Sequence, residues 1–366
     1  MAGVDVSLVH DYLTQRGGAE RVVLSLLRAF PGAPLHTSLY ERASTYPEFA
    51  DADVRTSPLD RVAALRADHR RALPLLAPAF SAMRVDADVV VCSSSGWAHG
   101  VRTGGRKVVY CHNPARWLYQ PEDYLLESSG AVKRAVGVMA PALRTWDRRA
   151  ARSADRYLCN STSVRERIRR AYGIEATVVP PPPAVVPGGP LVPVPGVEEG
   201  ALLCVSRLQP YKHVDAVVAA VERLPGHRLV VVGQGADRDR LRSLAGPRVT
   251  FVERVDDARL RWLYATSAAL VAASFEDFGL TPLEAASFGR PVVALRGGGY
   301  LDTVVEGVTG VFFDRPDPDE IAAAVRRALA TTWDGAAITA HAAAFGEDRF
   351  VERVRAVVAE EAALAG

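Results

Sequence analysis

The sequence predicts an α/β protein of two parallel-sheet domains, and three observations carry that expectation. Short apolar, β-branched runs alternate with helix-period segments along most of the chain, the pattern of parallel sheets covered on both faces. A length of 366 residues is long for one domain and natural for two. A stretch rich in proline, glycine and valine over residues 178–196 divides the alternation near its middle. Proline at that density is neither helix nor central strand.

The elements follow in order. Residues 4–9 read as a strand, residues 10–18 as a turn, and residues 19–30 as a helix with Val22, Val23, Leu26, Leu27 and Phe30 at helical spacing. Further strands are expected at 89–91, 107–110 and 156–158, with a helical tract over 132–155 interrupted near Pro141. The second half repeats the alternation: strands at 201–206, 229–232, 249–252, 268–273, 291–295 and 311–313, and a helix over 214–224. Residues 348–364 form a last amphipathic helix. The resulting division is a Rossmann-like domain over 1–182, a linker over 183–199, a second Rossmann-like domain over 200–345, and a C-terminal segment over 346–366.

Composition narrows the class. Apolar residues make up 49% and charged residues 23%, the balance of a soluble globular enzyme. No basic segment followed by an apolar one opens the chain, so no secretory signal is expected. No apolar stretch reaches the roughly 18 residues of a membrane span. Cys92, Cys111, Cys159 and Cys204 are scattered without metal-ligand spacing, as buried free thiols in a reducing cytoplasm would be. Net charge is +2, but residues 1–182 hold 25 basic and 18 acidic residues and the remainder 19 and 24. A basic N-terminal half invites an anionic partner. Its densest stretch, Arg61, Arg66, His69, Arg70 and Arg71 followed by Leu73, Leu75 and Leu76, fits an anionic membrane face, or else a solvated helix and loop. No aromatic platform is interleaved with these cations, which argues against nucleic acid.

The chemistry-bearing motifs sit where strands end. After the 268–273 strand come Glu276, Asp277, Phe278, Gly279, Leu280, Thr281, Pro282, Leu283 and Glu284. Thr281 is expected as the helix N-cap, Pro282 as the first helical residue, and Pro291 marks the helix end. Backbone N–H groups and the positive end of a helix dipole would then face the turn as an anion site, with a carboxylate on each side to accept hydroxyl protons. A sugar phosphate or nucleotide fits that chemistry. Thr281 and Glu284 also have capping-box spacing, which would confine Glu284 to the helix start. A second strand-turn-helix unit supplies cations, with Arg207 and Lys212 on the loop after the 201–206 strand, at the edge where open α/β sheets bind ligands. Gly17 and Gly18 precede the first helix, where glycine admits close backbone approach. His112 ends the 107–111 strand. The run Gly233, Gln234, Gly235 has Arg238 where a dinucleotide fingerprint needs glycine, so it is poor evidence for a nicotinamide cofactor. Asp86 with Asp88, Asp51 with Asp53, and Asp317 with Asp319 each form the acidic pair that metal-dependent sugar transferases use. The first enters a strand rather than leaving one, and no metal is expected.

Taken together, Ser206, Arg207, Leu208 and Lys212, the Glu276 and Glu284 pair, and Gly297, Gly298 and Gly299 resemble the GT-B, retaining nucleotide-sugar glycosyltransferases of family 4, over essentially the whole chain. The stretches HDYLTQRGGAERV (residues 10–22) and YCHNPARWLY (residues 110–119) resemble a subgroup that includes lipopolysaccharide O-antigen mannosyltransferases. The resemblance implies an N-terminal acceptor domain and a C-terminal donor domain facing across a cleft, the last helix crossing back to the first domain. It implies a nucleotide-sugar donor, GDP-mannose from the subgroup, and a glycan, lipid-linked or small-molecule acceptor. A UDP-sugar donor and a non-catalytic sugar-nucleotide binder stand as alternatives. No cofactor or metal is implied. His112, Arg207, Lys212 and Glu276 are then the catalytic residues. Gly17, Gly18, Gly233, Arg254, Val255, Phe278, Gly279, Leu280, Thr281 and Glu284 contact the donor. Arg116, Trp117 and Tyr119, which also read as loop packing, fall on the acceptor side with Asp302. Asp302 is a departure, because the family usually carries glutamate there.

Overall fold

A computed structural model describes residues 3–120 and 130–364. The chain divides into two compact units, one running through Pro181 and resuming at Glu347, the other Pro182–Gly346.

Among its described residues the first unit holds seven parallel strands: β1 (Val6–His10), β2 (Leu35–Thr37), β3 (Val54–Thr56), β4 (Val89–Ser94), β5 (Arg106–Cys111), β6 (Arg156–Cys159) and β7 (Thr177–Val178). Their order in the sheet is β3-β2-β1-β4-β5-β6-β7. The chain therefore reverses direction across the sheet between β1 and β4, where His10 and Ser93 face each other in register. Such a reversal opens a crevice at the carboxyl ends of the two strands. β1 and β4 are buried along their whole length, as expected of strands covered on both faces.

The second unit holds six parallel strands: β8 (Leu202–Val205), β9 (Leu229–Val232), β10 (Val249–Val252), β11 (Ala269–Ala272), β12 (Val292–Leu295) and β13 (Gly310–Phe313), in the order β10-β9-β8-β11-β12-β13. Its reversal point lies between β8 and β11. The loops carrying Arg207 and Glu276 leave from these two strand ends.

Four expectations change. The helix Leu280–Ser287 starts two residues earlier than expected, with Gly279 at its N-cap (φ 94°, ψ 73°) and no side-chain cap. Thr281 is thus the second helical residue and Pro282 the third, tolerable because first-turn N–H groups have no intrahelical acceptor. The helix Gly130–Arg152 runs through Pro141 without a break. The helix Val214–Val221 ends short of Leu224. Residues 183–199 have no regular structure but belong to the second unit. Val185 and Val194 are buried in its core, Val192 N–H donates to Ala258 O (3.2 Å) and Arg261 Nε to Val186 O (3.1 Å). The prolines exclude regular structure, but the valines between them are bound to a core.

The last helix, Glu347–Ala363, packs within the first unit. Phe350, Val354 and Val358 join the core around β1 and β5, with Phe350 edge-on to Tyr110 at 5.6 Å. Burying each of these side chains is worth about 1.5–3 kcal/mol. Buried Glu361 bonds Arg106 Nε at 3.0 Å and Arg156 Nε at 3.1 Å, so its charge is compensated. All four cysteines are free and buried, and burial pushes the Cys92 and Cys204 thiols up to about 12. Among the described residues no helix is long and apolar enough to cross a membrane.

Candidate active site

In the second unit the reversal point gathers charge. Past β8, the 3-10 turn Pro210–Lys212 ends at His213, in the left-handed region at φ 53°. This turn carries Lys212 inward to 6% exposure, and its Nζ bonds Glu276 Oε1. Ser274 Oγ donates to the same carboxylate oxygen at 2.6 Å, and the Tyr300 hydroxyl lies 3.2 Å from Ser274 Oγ. Glu276 keeps 24% exposure, and its Oε2 accepts no hydrogen bond among the described residues. Arg207 is exposed and donates through Nη2 to Tyr211 OH at 3.0 Å. The Tyr211 ring lies 5.0 Å from Lys212 Nζ, so one side chain touches both cations.

Glycines let the backbone close around this group. Gly299 N–H donates to Glu276 O at 2.9 Å, and a Cβ on Gly298 (φ 60°) would lie 2.2 Å from that same oxygen. A Cβ on Gly279 would lie 2.5 Å from the Tyr300 ring. Leu280 and Thr281 supply first-turn amides without a side-chain cap, while Phe278 is buried beside them. Gly233 follows β9 and lies against the Arg207 loop, its missing Cβ leaving room for Ser206 O. Arg254 follows β10 as an exposed residue at φ 54°, a conformation costing a non-glycine residue about 1 kcal/mol or more. Val255 packs against the core behind it.

Glu284 does not form a capping box. It is buried one turn into its helix, accepting from Tyr264 OH at 2.6 Å and from Ala184 N–H at 3.3 Å. Asp302 is half-buried on the short helix Tyr300–Thr303.

The first unit brings together a different group at its own reversal point. Ser93 Oγ lies 3.0 Å from His10 Nδ1 and 2.8 Å from His112 Nε2. His10 Nε2 stands 3.9 Å from Glu20 Oε1. Burial disfavours a charged His10, but the Glu20 carboxylate, with Asp11 and Ser93 O, outweighs it and raises the imidazole above its usual value. Gly17 and Gly18 begin the helix Gly18–Ala29, and a Cβ on Gly17 would sit 2.6 Å from Glu20 Oε2. Gly17 therefore accommodates an internal carboxylate, a reason for glycine that sequence alone does not reveal. Arg116 opens the short helix Arg116–Tyr119. Trp117 stacks on Trp97 at 5.1 Å and Tyr119 OH donates to Asp147 at 2.7 Å, so both pack within the unit.

Five of the six acids in the acidic pairs have structural partners among the described residues. Asp86 bonds Arg84, Asp88 accepts from Asp5 N–H, Asp53 bonds Arg55, Asp317 caps the helix Pro318–Ala330, and Asp319 pairs with Arg223. Sequence reasoning missed Ser274, Tyr300, Tyr211, His10, Ser93 and Glu20. Ser274, two residues before Glu276, and Tyr211, between Arg207 and Lys212, lie beside site residues in sequence; tertiary contact brings in Tyr300, and joins His10, Ser93 and Glu20.

Residues 16–183 match the family described as Glycosyltransferase Family 4, and residues 195–343 match Glycosyl transferases group 1. The chain is 38% identical over 141 residues to a D-inositol 3-phosphate glycosyltransferase of Mycobacterium marinum, covering 35% of this chain and 30% of that one. It is 34% identical over 218 residues to a glycogen synthase of Mycobacterium tuberculosis, covering 55% and 51%. The chain thus spans about half or less of the length of these relatives. Among solved structures, sucrose-phosphate synthase of Thermosynechococcus elongatus superposes with a TM-score of 0.68 at 20% identity, over 97% of this chain and 98% of that one. The lipopolysaccharide outer core galactosyltransferase WaaB superposes with 0.67 at 18%, over 97% and 99%. These likenesses show the fold, two parallel-sheet Rossmann-like domains of the GT-B kind.

Proposed function

We propose that this chain, which belongs by both domain matches to the GT-B glycosyltransferases of group 1 and family 4, transfers a hexosyl group from a nucleotide-sugar to a hydroxyl acceptor with retention of configuration and without a divalent metal. The observation that carries the reading is the convergence of buried Lys212 and Ser274 on half-buried Glu276, in the turn that leads to the uncapped start of the Leu280–Ser287 helix. In the reaction, the bond from sugar C1 to the diphosphate oxygen breaks and its electron pair stays on the leaving phosphate. The acceptor oxygen bonds C1 from the same face, and its proton passes to the departing diphosphate. Lys212, Arg207 and the amides of Leu280 and Thr281 stabilise the developing charge, work that a divalent cation does elsewhere. Glu276 Oε2 takes sugar hydroxyls and so orients C1. Glu284, held by Tyr264, is the carboxylate assigned to the ribose hydroxyls. Gly233, Arg254 and Val255, on the same edge of the sheet, flank the base. By the resemblance, His112, Gly17, Gly18 and Arg116 are the candidate contact residues of the first unit, and Asp302 is a further acceptor-side candidate in the second.

The donor proposed is GDP-mannose, supported by the residues 10–22 and 110–119 resemblance. A second reading replaces it with another nucleotide-hexose, favoured by the glycogen synthase and D-inositol 3-phosphate glycosyltransferase relatives. The acceptor class is a glycan, a lipid-linked sugar or a small molecule. A peripheral contact with anionic lipid is supported by exposed Val62 and Leu75 near Arg61, Arg70 and Arg71. A panel of GDP-, UDP-, ADP- and dTDP-sugars against diverse acceptors, read by mass spectrometry with and without chelator, tests the reading. Hexosyl transfer insensitive to chelator is expected. Binding without turnover on every acceptor, or activity lost on chelation and restored by a divalent ion, would overturn it.

A further inference from the structure

Glu276 receives both of its side-chain donors on one oxygen. Lys212 Nζ and Ser274 Oγ converge on Oε1, leaving Oε2 without a partner among the described residues. A carboxylate held from one oxygen presents the other in a fixed direction. Ser274 commits its only proton to Glu276, so its oxygen is left to accept. The neighbouring group, 3.2 Å away, is the Tyr300 phenol, which must then be the donor. Tyr300 is 1% exposed, and burial pushes its hydroxyl well above the usual tyrosine value, so it remains protonated. Its ring also lies where a Cβ on Gly279 would fall. One side chain thus abuts both the residue that starts the Leu280–Ser287 helix and the serine that holds the carboxylate.

We infer that Tyr300 and Ser274 are positioning residues for sugar selection: the chain Tyr300 O–H to Ser274 O–H to Glu276 Oε1 fixes the direction in which Oε2 meets the hydroxyls of the transferred sugar. The inference rests on the reading of Glu276 as a sugar-hydroxyl ligand. It makes a specific claim about what the two hydroxyls control. They act on the sugar end of the donor and leave the nucleoside diphosphate end alone, because among the described residues their hydrogen bonds run to each other and to Glu276, and none joins either hydroxyl to Lys212 or the first-turn amides.

The test compares affinities for GDP with GDP-mannose and for UDP with UDP-glucose, by calorimetry on the full chain, using whichever pair binds. The quantity read is the ratio of nucleotide-sugar affinity to nucleotide affinity. Ser274→Ala is expected to lower this ratio about tenfold and Tyr300→Phe about threefold, each leaving nucleotide affinity within twofold. Phe keeps the ring against Gly279, so Tyr300→Phe removes only the hydroxyl and preserves the fold. Ser274→Thr retains a hydroxyl and is expected to keep the ratio near that of the parent. Glu276→Gln serves as the control for the underlying reading. A ratio that falls in Glu276→Gln but not in Ser274→Ala or Tyr300→Phe overturns the inference and leaves the reading standing. A ratio unmoved in all three overturns the reading as well. Equal losses of nucleotide and nucleotide-sugar affinity in Tyr300→Phe would assign the hydroxyl to general packing and likewise overturn the inference.

Discussion

Replacing Lys212 by methionine probes the electrostatics of the site with little change of shape. Methionine keeps an unbranched stem of similar length in a pocket where the lysine is 6% exposed. Two consequences can be separated. Loss of one preorganised donor to a developing oxyanion typically costs about 3–4 kcal/mol, or 10²–10³ in kcat. Loss of the partner of Glu276 also destabilises the fold. A fully buried pair broken on one side costs about 3–5 kcal/mol. Glu276 retains 24% exposure and its bond from Ser274, so about 1–2 kcal/mol is the expectation here. Thermal unfolding and steady-state turnover on the same preparation read the two effects. The double variant Lys212→Met with Glu276→Gln removes the stranded charge, so it should recover most of the lost stability and none of the activity. Turnover in Lys212→Met within tenfold of the parent would refute the reasoning. So would recovery of activity in the double variant, because the lysine would then serve only to neutralise Glu276.

Glu276→Ala should cut turnover at least ~100-fold while the protein stays folded, which circular dichroism alongside the rate assay would check. Gly279→Ala forces a left-handed backbone on a residue whose Cβ would lie 2.5 Å from the Tyr300 ring; a loss of about 2–4 kcal/mol in denaturant unfolding is expected, and a neutral result would mean the turn relaxes freely. In the first unit, Glu20 outweighs burial to raise the His10 imidazole and favours an N–H on Nδ1 toward Ser93, so the Ser93 hydroxyl is expected to donate to His112 Nε2 and leave the His112 proton on Nδ1. Nitrogen-15 shifts should report that tautomer and show it lost in Ser93→Ala; an unchanged spectrum would contradict it. Reversing Arg61, Arg70 and Arg71 to glutamate should abolish sedimentation with vesicles containing phosphatidylglycerol and leave transfer to a soluble acceptor unchanged; binding that survives the reversal would place the membrane contact elsewhere.

The sheets were legible because each central strand is a short apolar run bounded by turn residues, a pattern that two-sided burial demands. Helix starts were less so. Nothing local distinguishes Thr281 from Gly279 as the cap; the choice is made by Tyr300, whose ring leaves room only for glycine. The 183–199 segment looked like a tether because proline dominates it, while Val185 and Val194 are the residues that attach it to a core. At the site, the cations and carboxylates could be read from strand ends. Their partners could not: Tyr264 lies 20 residues from Glu284 and Ala184 lies 100, and Ser93 is 19 from His112 and 83 from His10. Contacts at such separations are products of topology, here of the two points where strand order reverses.

A crystal structure of the protein with GDP or UDP bound, grown with magnesium present, tests the main assignment most directly. The diphosphate is expected within hydrogen-bond distance of Lys212, Arg207 and the amides of Leu280 and Thr281, with no ion bridging its oxygens. A diphosphate seated away from these groups, or one reaching the protein through a bound magnesium, would contradict the assignment.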